Sequence, residues 1–247
     1  MDVIQWVSKK SYLEIINAII LVCLAIMFII FFMCSTQWRM YIDSPLLYYT
    51  AYLIDEHQFV PYQDVFETSM PGTFLFHIVV GKIFGYGLVG FRIIDILWLS
   101  TLLFITWKIM QVFNSRVAWA SVFLFGVSYY SYGPYMSLQR DYIGILPIAI
   151  AVYLILSKPR LTPMILFLVG LLFGFAASIK PPAIVGLPIL MYFGYQRRGV
   201  RYSGRSSRST NMSVTKSISY AFLGLLVLPI ICLIWLISYG ALAPFLE

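Results

Sequence analysis

The sequence predicts an all-α polytopic membrane protein of about seven to eight transmembrane or re-entrant helices, with an amphipathic outer loop after the first. Three observations carry that expectation. Hydrophobic residues make up 61% of the 247 and charged residues 11%, whereas a soluble domain holds about 25% charged residues. Several apolar runs approach the roughly 20 residues needed to cross a bilayer. They are continuous rather than alternating, which fits helices and excludes a closed barrel. Finally, the charges segregate. Asp43, Asp55, Glu56, Asp64 and Glu67 follow the first apolar run, and Arg197, Arg198, Arg201, Arg205, Arg208 and Lys216 form a cluster without an acid.

The first run, 13–34, follows Lys9 and Lys10. It is too long for a signal-peptide core and lacks a small-residue cleavage site, so it reads as a signal anchor with its start in the cytoplasm. The loop 35–72 then lies outside. Within it, Leu46, Leu47, Leu53 and Ile54 recur at helical spacing, as in a short amphipathic helix lying in the membrane interface. Pro45 suits its first turn, and Asp43 falls at its N-terminus, where the helix dipole favours a carboxylate. Residues 59–67 suggest a second short element, and Pro71-Gly72 breaks the chain before a span over 73–84.

A turn at 85–90 leads to a span over 91–113. The apolar stretch 117–132 is short and reads as a thin crossing or a re-entrant dip. A polar stop at 137–141 precedes a span over 142–156. A turn at 157–160 leads into 161–179, then Lys180-Pro181-Pro182 interrupts and 183–195 continues. The basic loop 197–216 is expected in the cytoplasm, and 218–239 is the last span. Two topologies remain. If 117–132 re-enters and 161–195 crosses twice, Arg140 and Lys180 share the side of the acidic loop. If 117–132 crosses and 161–195 crosses once, the basic loop is still inside, so the Lys/Arg rule does not choose.

Asp43, Asp64 and Glu67 sit among Trp38, Tyr41, Tyr48, Tyr49, Tyr62 and Phe66. Acids in a loop are usually only solvated; among aromatics at a membrane surface they also suit a general base or an anchor for a hydroxyl-rich substrate. Arg140-Asp141 and Lys180-Pro-Pro interrupt apolar segments. Singly, each reads as a snorkelling cation or a kink; together, the cations suit a phosphate at the membrane surface. Arg92 and Asp95 read as an i,i+3 ion pair, and His77 and Lys82 are assigned no role. Cys23, Cys34 and Cys232 have no metal-ligand spacing. No nucleotide loop or metal motif occurs, so no cofactor or metal is expected, and the arginine cluster lacks the aromatics of a nucleic-acid module. A sequon at Asn211 falls in the loop expected to be cytoplasmic, where it would not be used.

Three segments carry a resemblance: Asp43-Ser-Pro-Leu-Leu-Tyr-Tyr-Thr-Ala-Tyr, then Val60-Pro-Tyr-Gln-Asp-Val-Phe-Glu, then Met70-Pro-Gly-Thr. Together they resemble the first outer loop of GT-C superfamily membrane glycosyltransferases, in the bacterial branch related to protein mannosyltransferases and aminoarabinose transferases. Gln139-Arg140-Asp141 and Ser178-Ile-Lys180-Pro-Pro182 are similar to two later features of that family. Ser44 stands where many members carry a second acid. Members are usually longer, so residues 1–247 resemble their N-terminal catalytic module as a single membrane domain.

The resemblance implies transfer of a sugar from a polyprenyl-phosphate donor to a glycan, lipid or protein acceptor, at the outer face of a bacterial inner membrane. It implies Asp43 as the base, Asp64 as a second acid of the catalytic loop that orients the loop or the sugar, and Arg140 and Lys180 on the leaving phosphate. Tyr62 and Asp141 would position substrate, and no metal is required. It also requires Arg140 and Lys180 on Asp43's side of the membrane. A transporter is the alternative, with helices broken at Pro134, Pro181-Pro182 and Pro188 lining a path. A non-catalytic partner in polysaccharide export is the third reading.

Overall fold

The computed structural model describes residues 3–65, 67–158, 161–202 and 214–247, with side chains for all of these except 3–11 and 197–202. The regular elements in them are helices: α1 (Val3–Ser35), α2 (Asp43–His57), α3 (Pro71–Phe84), α4 (Leu88–Met110), α5 (Ser115–Ser131), α6 (Arg140–Ser157), α7 (Pro163–Ile179), α8 (Gly186–Tyr202), α9 (Val214–Ser238) and α10 (Leu242–Leu246). Short 3-10 turns stand at Gly133–Met136 and Pro181–Val185. Arg205, Arg208, the serine-rich stretch and the sequon lie outside the described residues.

Four of the described helices are long and apolar enough to cross a bilayer: Tyr12–Ser35 of α1, α4, α6 and α9. Along α1, Ile15, Ile19, Val22, Ile26 and Ile29 are each more than half exposed. In water such a face would drive aggregation; against hydrocarbon it needs no cover. The chain is therefore an all-helical protein of membrane type.

The helices share two ends. At one end Arg92, in the first turns of α4, donates to the Ser35 carbonyl at the end of α1 (2.9 Å) and to the Ser137 hydroxyl just before α6 (3.1 Å). Tyr129, late in α5, donates to Asp95. Tyr239, just past α9, packs against the cluster that Ala51 and Ile54 of α2 form with Phe74 and Ile78 of α3. The opposite end gathers the α4–α5 and α6–α7 turns, the end of α8 and the start of α9, as the approach of Gly194 to Ile155 and Leu161 indicates.

Charge divides along the same line. Lys108, Arg116, Lys158, Arg197, Arg198, Arg201 and Lys216 fall at the second end, with Lys9 and Lys10 at the start of α1. Asp43, Asp55, Glu56, Asp64, Glu67, Asp95 and Asp141 fall at the first, where Arg39, Lys82, Arg92, Arg140 and Lys180 stand among them. The second is thus the basic end of the bundle and the first the acidic end.

The main departure from the expected topology is α3. It was expected as a span over 73–84, but its 14 residues make a rod about 21 Å long, against a hydrocarbon core of about 30 Å. Both its ends lie at the acidic end of the bundle. Gly72 abuts Ser178 at the end of α7, and Gly85, just past its last turn, accepts a 2.6 Å hydrogen bond from Tyr48 of α2. α2 lies against it, burying Leu47, Tyr48, Ala51 and Ile54 while leaving Leu46 and Tyr49 exposed. The apolar face of α2 thus meets protein rather than the membrane interface. The Lys82–Asp55 ion pair (2.9 Å) and the Tyr86 hydroxyl on Asp55 (3.0 Å) fasten its far end.

α5 runs the full way between the two ends, and 161–195 forms two helices, α7 and α8, that run there and back. Arg140 and Lys180 consequently lie at Asp43's end, by a route neither expected topology described. α7 and α9 run parallel and close: a Cβ on Gly170 or Gly174 would collide with the backbone of Ala221 or Leu225, and one on Gly224 with that of Phe167. In lipid, where burial of apolar surface does not drive helices together, such small residues let backbones approach closely enough for van der Waals packing to do so.

Candidate functional site

Asp43 is the first residue of α2, and the chain enters it through Ile42 at φ 54°. A β-branched residue in the left-handed region is strained, at a cost of about 1–3 kcal/mol, and persists only where its surroundings enforce it. The enforcing contact is next door. Ser44 is fully buried and its hydroxyl donates to the Ser137 carbonyl at 2.6 Å, while the Gln139 amide reaches the same hydroxyl at 3.5 Å. On the facing segment, Leu138 is fully buried at φ 47°, turning the chain so that α6 opens with Arg140. Two strained residues therefore bracket the meeting of α2 and α6.

That meeting brings Arg140 Nη2 to 3.9 Å from Asp43 Oδ2, with the side chains 37% and 47% exposed. Arg140 Nη1 also donates to Ser69 Oγ at 3.0 Å, and Ser69 donates in turn to Glu67 at 2.8 Å. Tyr62, in the left-handed region at φ 64°, donates its hydroxyl to the Ser69 carbonyl at 2.6 Å and packs on Phe74 and Phe245. Burial, with Glu67 nearby, raises the Tyr62 pKa, so the phenol remains a donor. The loop thus holds a serine hydroxyl and a carboxylate behind the guanidinium.

Asp141, the next residue, pairs with Lys180, which ends α7. The two elements that converge here are built for close approach. Pro71 occupies the first turn of α3, where a missing N–H costs nothing, and Gly72 lets that turn touch Ser178, two residues before Lys180. The Met70-Pro-Gly-Thr motif therefore has a packing role, seating α3 on the end of α7. The result is an open shelf of two acids and two cations, each cation held by an acid and each still partly exposed.

Beneath the shelf lies a buried polar hub. Arg92 and Asp95 pair at 2.7 Å with side chains only 9% and 2% exposed. Asp95 also accepts from Tyr129 (2.6 Å) and Ser137 (3.3 Å), and Arg92 stacks on Trp38. The expected local i,i+3 pair thus joins α1, α4, α5 and the segment before α6. Ser137 belongs to both layers: its hydroxyl to the hub, its carbonyl to Ser44.

The expected site residues fare differently. Asp43, Arg140, Asp141 and Lys180 gather on the shelf. Asp64 accepts from the Val60 N–H at 2.7 Å and closes the turn at 60–64. Tyr62 staples the loop through the Ser69 carbonyl. Ser69 and Ser137 carry no signal in the sequence, and Ser44 stands out there only as the replacement of a second acid, not for the hydrogen bond it makes. His77, also passed over, is fully enclosed between α2 and α3, its pKa pushed down to about 3 by burial.

No family model matches this chain, no curated protein matches it, and no solved structure matches it.

Proposed function

We propose that this chain is a membrane glycosyltransferase module that moves a sugar from a polyprenyl phosphate to an acceptor hydroxyl, with the shelf as its active site. One observation carries the reading: Asp43 and Arg140, distant in sequence, stand 3.9 Å apart and open to solvent, with Lys180 held by the very next residue, Asp141. A carboxylate beside one cation, with a second cation paired to the adjoining residue at the same bundle surface, suits a base and a phosphate site.

In this mechanism Asp43 takes the proton of the acceptor hydroxyl. The acceptor oxygen bonds to the anomeric carbon from the face opposite the phosphate, and the bond to the phosphate oxygen breaks, inverting that carbon. The charge left on the lipid phosphate meets Arg140 and Lys180, whose weak, exposed pairings release them to the ligand. Such electrostatic stabilisation is typically worth about 3–4 kcal/mol per group. Asp64, Tyr62 and Glu67 shape the loop that presents Asp43 and Arg140. The excess of cations over acids at the opposite end supports an orientation with that end in the cytoplasm and the shelf outside; the inner membrane of a bacterium is what the family resemblance implies. Among the described residues, α1, α4, α5, α6, α7, α8 and α9 would be the seven crossings of this arrangement, with α2 and α3 lying across its outer end.

The test is transfer of radiolabelled sugar from polyprenyl-phosphate donors in membranes. Asp43→Asn is expected to lower transfer by at least about a hundredfold, the usual contribution of a positioned base, at unchanged expression and melting temperature. Transfer that survives this substitution, or its absence with every donor offered, would overturn the reading.

A further inference from the structure

The basic end carries a second feature, independent of the shelf and of the transferase reading. A cavity of about 510 Å³ opens between α8 and α9 over α7, lined by Leu166, Leu187, Met191, Tyr195, Ile218 and Phe222. That volume lies within the roughly 300–1,000 Å³ of sites that enclose ligands. Its walls are almost wholly apolar, so a soluble polar ligand has nothing to bind there.

The order of residues along α8 identifies the occupant. Leu187, Leu190 and Met191 come first, then Tyr192 and Tyr195, exposed at 66% and 56%, then Arg197, Arg198 and Arg201 in the closing turns. Apolar, aromatic and cationic residues succeed one another as acyl chain, interface and headgroup do across one leaflet of a bilayer. The facing wall repeats the order in reverse: α9 opens with Lys216, exposed, and continues through Ile218 and Phe222. Between Asp141 and Glu247 the sequence contains no carboxylate. Glu247 follows Phe245, which packs on Tyr62 at the acidic end. The charged residues that the end of α8 and the start of α9 carry in sequence are therefore of one sign.

We infer that this groove binds an anionic phospholipid, with an acyl chain between α8 and α9 and its phosphate among the basic residues at the two helix ends. A zwitterionic lipid would fill the same groove, but its own cation would face those residues.

The detergent-solubilised full chain tests this by native mass spectrometry during titration with phosphatidylglycerol or phosphatidylcholine. Wild type is expected to hold one phosphatidylglycerol at least about tenfold more tightly than phosphatidylcholine, a comparison that needs no variant. The combined Arg197→Gln, Arg198→Gln, Arg201→Gln and Lys216→Gln variant is expected to bring the two lipids level. Met191→Trp, filling the groove while sparing the charges, is expected to abolish tight retention of both. Equal retention by wild type overturns the inference. So does phosphatidylglycerol binding that neither variant alters, or a lipid-free dimer that protects Met191 from oxidation.

Discussion

Two arginine–aspartate pairs at the acidic end, a few residues apart through Ser137, have opposite designs. Arg92 and Asp95 meet at 2.7 Å in the interior, where every oxygen of the acid has a donor. Arg140 and Asp43 stand 3.9 Å apart and open to solvent. In the interior, charge survives only if paired and hydrogen-bonded, so the first pair is committed to holding four segments together. At the surface water screens the attraction, so the second holds little and stays available to a ligand. The same two residue types thus serve as fastener in the interior and, in the proposed function, as tool at the surface.

The largest effect that would break this comparison is at the fastener. Arg92→Met leaves Asp95 buried without its cation and is expected to cost about 3–5 kcal/mol, read as a fall in melting temperature in detergent. The double variant Arg92→Met with Asp95→Leu is expected to recover part of that loss, because no uncompensated charge remains. A single variant as stable as wild type would mean that the hub is not a fastener.

The contrast was only partly legible in the sequence. Composition and apolar run length are sums over many residues, so all-helical membrane architecture could be read directly. α3 reads as a span because hydropathy does not distinguish a helix packed among other helices from one bathed in lipid; nine of its 14 residues are buried, against α2, α4, α7 and α9. Arg92 and Asp95 were visible as neighbours on one helix, but Ser35, Tyr129 and Ser137 lie far away in sequence and nothing local marks them. On the shelf, the residue types were suggestive and family resemblance singled them out. Their pairing depends on Ser44, Leu138 and Gly72, whose roles are purely spatial.

The next effect separates the layers by pH. His77, enclosed between α2 and α3, has its pKa pushed down to about 3 by burial, against an ordinary value of 6.5. The unfolded chain therefore takes up a proton below 6.5 that the folded chain refuses until near 3. The stabilisation is complete above pH 6.5 and is lost as the pH falls toward 3, amounting to about 2 kcal/mol lost by pH 5. His77→Phe is expected to flatten that part of the pH–stability curve. An unchanged acid slope would mean that the ring is protonated, or hydrated, within the fold.

The smallest stability effect is expected at the shelf itself, and it sharpens the comparison most. A double-mutant cycle with Asp43→Asn and Arg140→Gln should show a coupling below about 1 kcal/mol in unfolding, the range for exposed ion pairs. In the proposed sugar transfer the same cycle should behave otherwise. Each single variant should lose about a hundredfold or more, and the double variant little beyond the worse single, as groups that act as a unit do. A large stability coupling would make this pair a second fastener and leave Ser69 and Glu67 as mere supports of it. Small coupling in stability with strong non-additivity in transfer would mark the pair as held in place by the hub and spent on a ligand, and Ser137, which touches both layers, as the residue through which the one positions the other.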